Sequence, residues 1–176
     1  MKPGLLEWQK KLVALFAEFD ELSLLILKGH LLVEEALNSI IEKFVFHPEP
    51  LEETRLGFAQ KVHLARSLSL DEQNNSMWAL VLALNSLRNE IAHSLHSPKR
   101  DQKMIRVREI FVQECGDLKE IEDYKKLDDV GLMTLVISLC VGFLSSFEQE
   151  VIRLRSVVDE LDRAMNPHRH PKETPH

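Results

Sequence analysis

Apolar residues recur along this chain at spacings of three and four, and the stripes they draw predict helices from end to end. Leu5, Leu6, Trp8, Leu12, Leu15, Phe16 and Phe19 mark one face of a first helix. Asp20 and Ser23 offer cap chemistry for a second, which runs from about Glu21 to Phe46 and stops at His47-Pro48-Glu49-Pro50, where two prolines forbid continuation. Arg55 to Leu68 reads as a shorter helix. Asn75 or Ser76 caps a strong one that reaches about Leu95, and Lys99 to Cys115 follows, with Gly116 as its stop. Val130 to about Met165 forms a long helix whose first half is nearly all apolar, so it must be central or covered by a partner. Residues 1–165 are therefore expected to form one all-α domain, an up-and-down bundle of about five to six helices with a long C-terminal helix. Residues 166–176, punctuated by Pro167, Pro171 and Pro175, are expected to be a disordered tail.

Composition sharpens this picture. A chain of 176 residues with 44% hydrophobic and 28% charged residues and only six glycines suits one helical domain better than a turn-rich β fold. The formal net charge of -6 excludes a protein that coats nucleic acid by bulk electrostatics, so any RNA contact has to be local. Cys115 and Cys140 sit in apolar helical contexts without a C-x-x-C spacing and read as reduced core thiols, with the cytoplasm as the expected compartment. The N-terminus lacks the basic and apolar regions of a secretion leader. The apolar stretches Leu22–Leu27 and Leu132–Leu144 fall short of the ~20 residues a bilayer requires, so no membrane span is expected.

One helix carries two demands. Leu80, Leu84, Leu87, Ile91 and Leu95 fall within about 60° of one another and make a core stripe. Trp78 and Leu82 project about 140° to 180° away, on the side of Asn85, Asn89, His93 and His96. Two readings account for this second face. In one, Trp78 and Leu82 form a homodimer interface that opens into a polar cleft holding two copies of Asn89 and His93. In the other, the helix from Val130 to Leu144 of the same chain covers them.

The string Leu87-Arg88-Asn89-Glu90-Ile91-Ala92-His93 resembles the signature of HEPN domains, in which an arginine, a polar residue and a later histidine lie on a late helix of a small bundle. Lys28-Gly29-His30-Leu31-Leu32-Val33-Glu34-Glu35-Ala36-Leu37 is similar to an early helix of such domains. Together the likeness covers roughly residues 22–95. It implies a HEPN-like fold and a metal-independent endoribonuclease acting as a homodimer, the toxin half of a toxin–antitoxin pair. It also implies a small nucleotidyltransferase-type antitoxin as partner.

The residue types suit that chemistry. Metal-free RNA cleavage needs a group to move the proton of the ribose 2′-hydroxyl and positive charge beside the phosphorus. His93 suits the first task, and Arg88 offers a permanent forked cation for the second. Asn89, four residues before His93 on one face, is placed to orient the imidazole or bind phosphate, with Asn85, Glu34 and His96 as further binding or orienting candidates. Arg88 and His93 lie about 140° apart around the helix, so a second copy is part of the expectation. The plainer alternative makes Arg88 an ion-pair partner of Glu34 or Glu35 and His93 a helix-end histidine favoured by the macrodipole. A non-catalytic helical dimer of antitoxin or repressor type, binding protein or nucleotide, is the second reading.

His30 and Glu34 stand four apart, but without a second ligand pair no metal site is expected. No glycine-rich phosphate loop of the P-loop or dinucleotide type is present, and no cofactor is expected. Lys99, Arg100, Lys103, Arg106 and Arg108 follow the motif helix and read either as an RNA path or as a solvated face.

Overall fold

A computed structural model describes residues 7, 10, 20–70, 75–93, 98–114 and 126–169. The expected first helix, Leu95, His96, Cys115, Gly116 and the tail from residue 170 onward lie outside the described residues. Among the described residues all regular structure is helical: α1 (Glu21–Phe44), α2 (Glu49–Glu53), α3 (Phe58–Leu68), α4 (Met77–His93), α5 (Pro98–Glu114) and α6 (Asp129–Met165), followed by a 3-10 turn over Pro167–Arg169.

Short polar side chains start these helices by taking amides that have no partner within the first turn. Asp20 Oδ1 accepts from the Ser23 amide at 2.6 Å to begin α1. Asn75 Oδ1 accepts from the Met77 amide at 2.9 Å, and Asp128 Oδ1 from the Gly131 amide at 2.8 Å. Prolines act at both ends of the scale. Pro48 and Pro50 follow the end of α1 as expected, yet Pro50 also sits in the first turn of α2, where its missing N–H costs nothing. Pro98 is the first residue of α5 for the same reason.

The core forms around a pair of parallel helices. Gly29 of α1 meets Ile137 of α6, Ser39 meets Glu148, and the carbonyls of Phe44 and Val45 accept from Arg155 at 3.2 and 3.0 Å, so contacts advance in the same direction on both helices. α1 buries Ile26, Val33, Leu37, Ile40 and Ile41, and α6 buries Leu132, Met133, Val136, Ile137, Cys140, Leu144, Phe147 and Val151. α4 packs beside this pair and runs against α1: its Asn85 reaches His30, while Trp78, nearer its start, lies level with Phe143 and Phe147 further along α6. α3 and α5 flank α4.

Two expectations change here. Trp78 is 2% exposed and meets Phe143 and Phe147 edge-to-face, with ring centroids 4.9 and 5.7 Å apart. The second face of α4 is thus satisfied at Trp78 within the chain, and Trp78 is not open to a second subunit; Leu82 is half-buried against the same core. Residues 166–169 are folded rather than disordered. Asn166 Nδ2 donates to Asp162 Oδ1 at 2.7 Å, and Arg169 pairs with the same carboxylate at 3.5 Å.

α6 also outruns both apolar stretches noted above: by length and composition it is long and apolar enough to cross a membrane. Its apolar surface divides at Val151. Before that point one face is core; beyond it Val157, Val158, Leu161 and Met165 are exposed.

Candidate functional site

The arginine of the motif opens onto a cleft of about 490 Å³ built where α1, α3 and α4 converge. α1 contributes His30 and Glu34, one turn apart; α4 contributes Asn85, Arg88 and Asn89; the start of α3 contributes Gly57, Phe58, Ala59 and Gln60. Helical periodicity explains the set. Asn85, Arg88 and Asn89 are spaced three and four apart and so share a face, as do His30 and Glu34.

His30 is the most constrained group in the cleft. Its position continues the buried stripe of α1, and it is 2% exposed. Its Nε2–H donates to Asn85 Oδ1 at 3.0 Å, and its ring stacks on Phe58 with centroids 4.3 Å apart. Burial lowers its proton affinity below the ordinary value; the Asn85 acceptor opposes this, the Arg88 charge adds to it, Glu34 opposes it and Lys61 adds to it. The ring is therefore neutral near pH 7, and with Nε2 carrying the proton, Nδ1 is left as a bare acceptor. That atom is buried and has no hydrogen-bond partner among the described residues; Glu34 Oε2 is 4.0 Å away.

Charges in the cleft are unevenly satisfied. Glu34 does not pair with Arg88; its Oε1 accepts from Lys61 Nζ at 2.7 Å. Arg88 donates to Asn89 Oδ1 at 3.1 Å, a neutral partner, and no carboxylate pairs with it among the described residues. A half-buried guanidinium left with one neutral acceptor keeps most of its donor fork for something else.

The motif's histidine stands apart. His93 is the last residue of α4, exposed, one turn beyond Asn89, and it is not among the residues lining the cleft. The structure thus gathers Arg88, Asn89, Asn85 and Glu34 of the expected set and leaves His93 at the helix end; His96 lies outside the described residues. It adds His30 as a cleft residue, together with Phe58, and Lys61 as the partner of Glu34. A histidine falling on an apolar stripe was the visible signal for His30; nothing local marked its partner.

The basic run on α5 reads differently in three dimensions. Arg100 pairs with Asp20 at 2.8 Å, Arg106 with Glu109 at 3.1 Å and Arg108 with Asp129 at 2.9 Å, while Lys103 donates to Ser86. Three of the five cations thus pair with carboxylates. No group of three or more metal-ligating side chains occurs among the described residues.

The chain matches no family model, no curated protein and no solved structure.

Proposed function

We propose that this chain is a HEPN-like, metal-independent endoribonuclease that acts as a homodimer, with Arg88 of one copy and His93 of the other at each composite site. The observation that carries the reading is Arg88: its guanidinium lines an open polar cleft with Asn85 and Asn89, and among the described residues its one hydrogen-bond partner is the neutral Asn89 side chain. Such a cation suits the non-bridging oxygens of a phosphodiester. The ribose 2′-oxygen attacks phosphorus, the bond to the 5′-oxygen breaks, and the histidine moves the proton between them.

Two features bear on the dimer. His93 is exposed at the end of α4 and is not among the residues lining its own copy's cleft, which supports a role in a neighbouring copy's site. On α1, Leu24 and Leu31 are exposed seven residues apart on the side beyond Glu34, apolar area that a second copy beside the cleft buries. The toxin-type role with a nucleotidyltransferase-type antitoxin rests on the sequence resemblance alone, and the cytoplasmic compartment on the reading of Cys115 and Cys140 as reduced thiols.

One observation favours the non-catalytic reading: the histidine that does line the cleft, His30, is buried and tied to Asn85, an arrangement suited to holding a ligand rather than shuttling protons. The two readings part on one assay. With a chelator present, wild type cleaves single-stranded RNA, while Arg88→Ala and His93→Ala each lose about 10²-fold or more. Absence of cleavage by the folded wild type leaves the binding module.

A further inference from the structure

We propose that the start of α3 and the Arg88 side chain together form a phosphate-binding subsite within this cleft. The inference rests on the reading of the cleft as a place for RNA and adds where a phosphate group sits.

α3 is eleven residues long, and its first turn lines the cleft through Phe58, Ala59 and Gln60. The residue before it is Gly57, which has no side chain to cap the helix. The Gln60 side chain does not cap it either, because Gln60 Oε1 accepts from the Gly57 amide at 2.8 Å. The amides of Phe58, Ala59 and Gln60 are therefore without an acceptor among the described residues. Free first-turn amides at the positive end of a helix dipole bind anions. Arg88, from α4, faces the same space with a neutral partner.

An independent feature points to a ligand there. His30, 2% exposed, lines the cleft, and its Nδ1 is a buried polar atom without a hydrogen-bond partner among the described residues. A buried acceptor left unpaired costs about 1–3 kcal/mol. A ligand with anionic oxygens beside an O–H group, either monohydrogen phosphate or a chain phosphate with its neighbouring ribose hydroxyl, serves both the donors and this acceptor. Among the described residues Glu34 is the one opposing charge lining the cleft, and Lys61 at 2.7 Å offsets it.

The test is an amide titration of the full ¹⁵N-labelled chain in a buffer free of phosphate and sulfate. Inorganic phosphate is expected to shift the amides of Phe58, Ala59 and Gln60 saturably. Arg88→Gln weakens binding by at least about tenfold, while Arg106→Gln, on the outer face of α5, leaves it within about twofold. A short single-stranded RNA without terminal phosphates provides a second arm: shifts at the same three amides assign the subsite to a chain phosphate, and shifts with inorganic phosphate alone assign it to a free or terminal one. Shifts that do not saturate, or an Arg88→Gln affinity equal to wild type, overturn the proposal. Cleavage measured on the same samples separates it from the nuclease reading. Cleavage without phosphate shifts at these amides removes the subsite and keeps the nuclease, and saturable shifts without cleavage do the reverse.

Discussion

His30 and Asn85, 55 positions apart in the chain, meet through a hydrogen bond of 3.0 Å that ties α1 to α4 at the back of the cleft. Because the histidine is buried, this bond replaces one that water would otherwise make. Asn85→Ala leaves Nε2–H unsatisfied and is expected to destabilise the fold by about 1–3 kcal/mol in urea unfolding. An unchanged midpoint would mean that His30 is wetter than its burial indicates.

The same histidine sets a pH dependence. Burial, the largest influence, holds its proton affinity below the ordinary 6.5, so the unfolded chain takes up this proton first as the pH falls. The stability linked to His30 is thus fully present above 6.5 and declines below it. Glu148 acts in a lower window: the hydrogen bonds from Lys43 and Ser39 hold its carboxyl below 4.5, so its contribution is lost only on further acidification. Urea midpoints at about pH 7.5 and about pH 5.5 are expected to fall more in wild type than in His30→Gln. Equal falls in both proteins would contradict the assignment.

Gly29 of α1 lies directly against Ile137 of α6. A Cβ built there stands 2.2 Å from Ile137 Cδ1 and 2.7 Å from Cγ1, so Ile137 must move. Overpacking of this kind costs about 1–3 kcal/mol, against a gain of about 1 kcal/mol in helix propensity, and Gly29→Ala is expected to destabilise by up to about 2 kcal/mol. In an Ile137→Ala background the same substitution should be neutral or stabilising, which a double-mutant cycle reads directly.

Much of this architecture was legible in the sequence because helices announce themselves by period. The stripe Leu80, Leu84, Leu87, Ile91 drew the buried face of α4, and Asp20 marked the start of α1. α2 was hidden because Pro48 and Pro50 read as a break, and a proline is harmless in a first turn. Periodicity showed that Trp78 needed cover but not whose: Phe143 and Phe147 lie more than sixty residues downstream, and a second copy would have satisfied the same pattern. The spacing of the motif puts Arg88 and Asn89 on one face of α4, and both line the cleft. It did not bring His93, because a count along one helix says nothing about which neighbours α1 and α3 supply.

The measurement that tests the composite nuclease most directly is mixing. Arg88→Ala and His93→Ala, each inactive on RNA in the presence of a chelator, are combined in equal amounts and allowed to exchange subunits. If Arg88 of one copy works with His93 of the other, half of the dimers are mixed and each holds one intact site, so about a quarter of wild-type activity returns. Mixtures that stay inactive while exchange is demonstrated would contradict a site shared between copies, and an inactive wild type would contradict the nuclease itself.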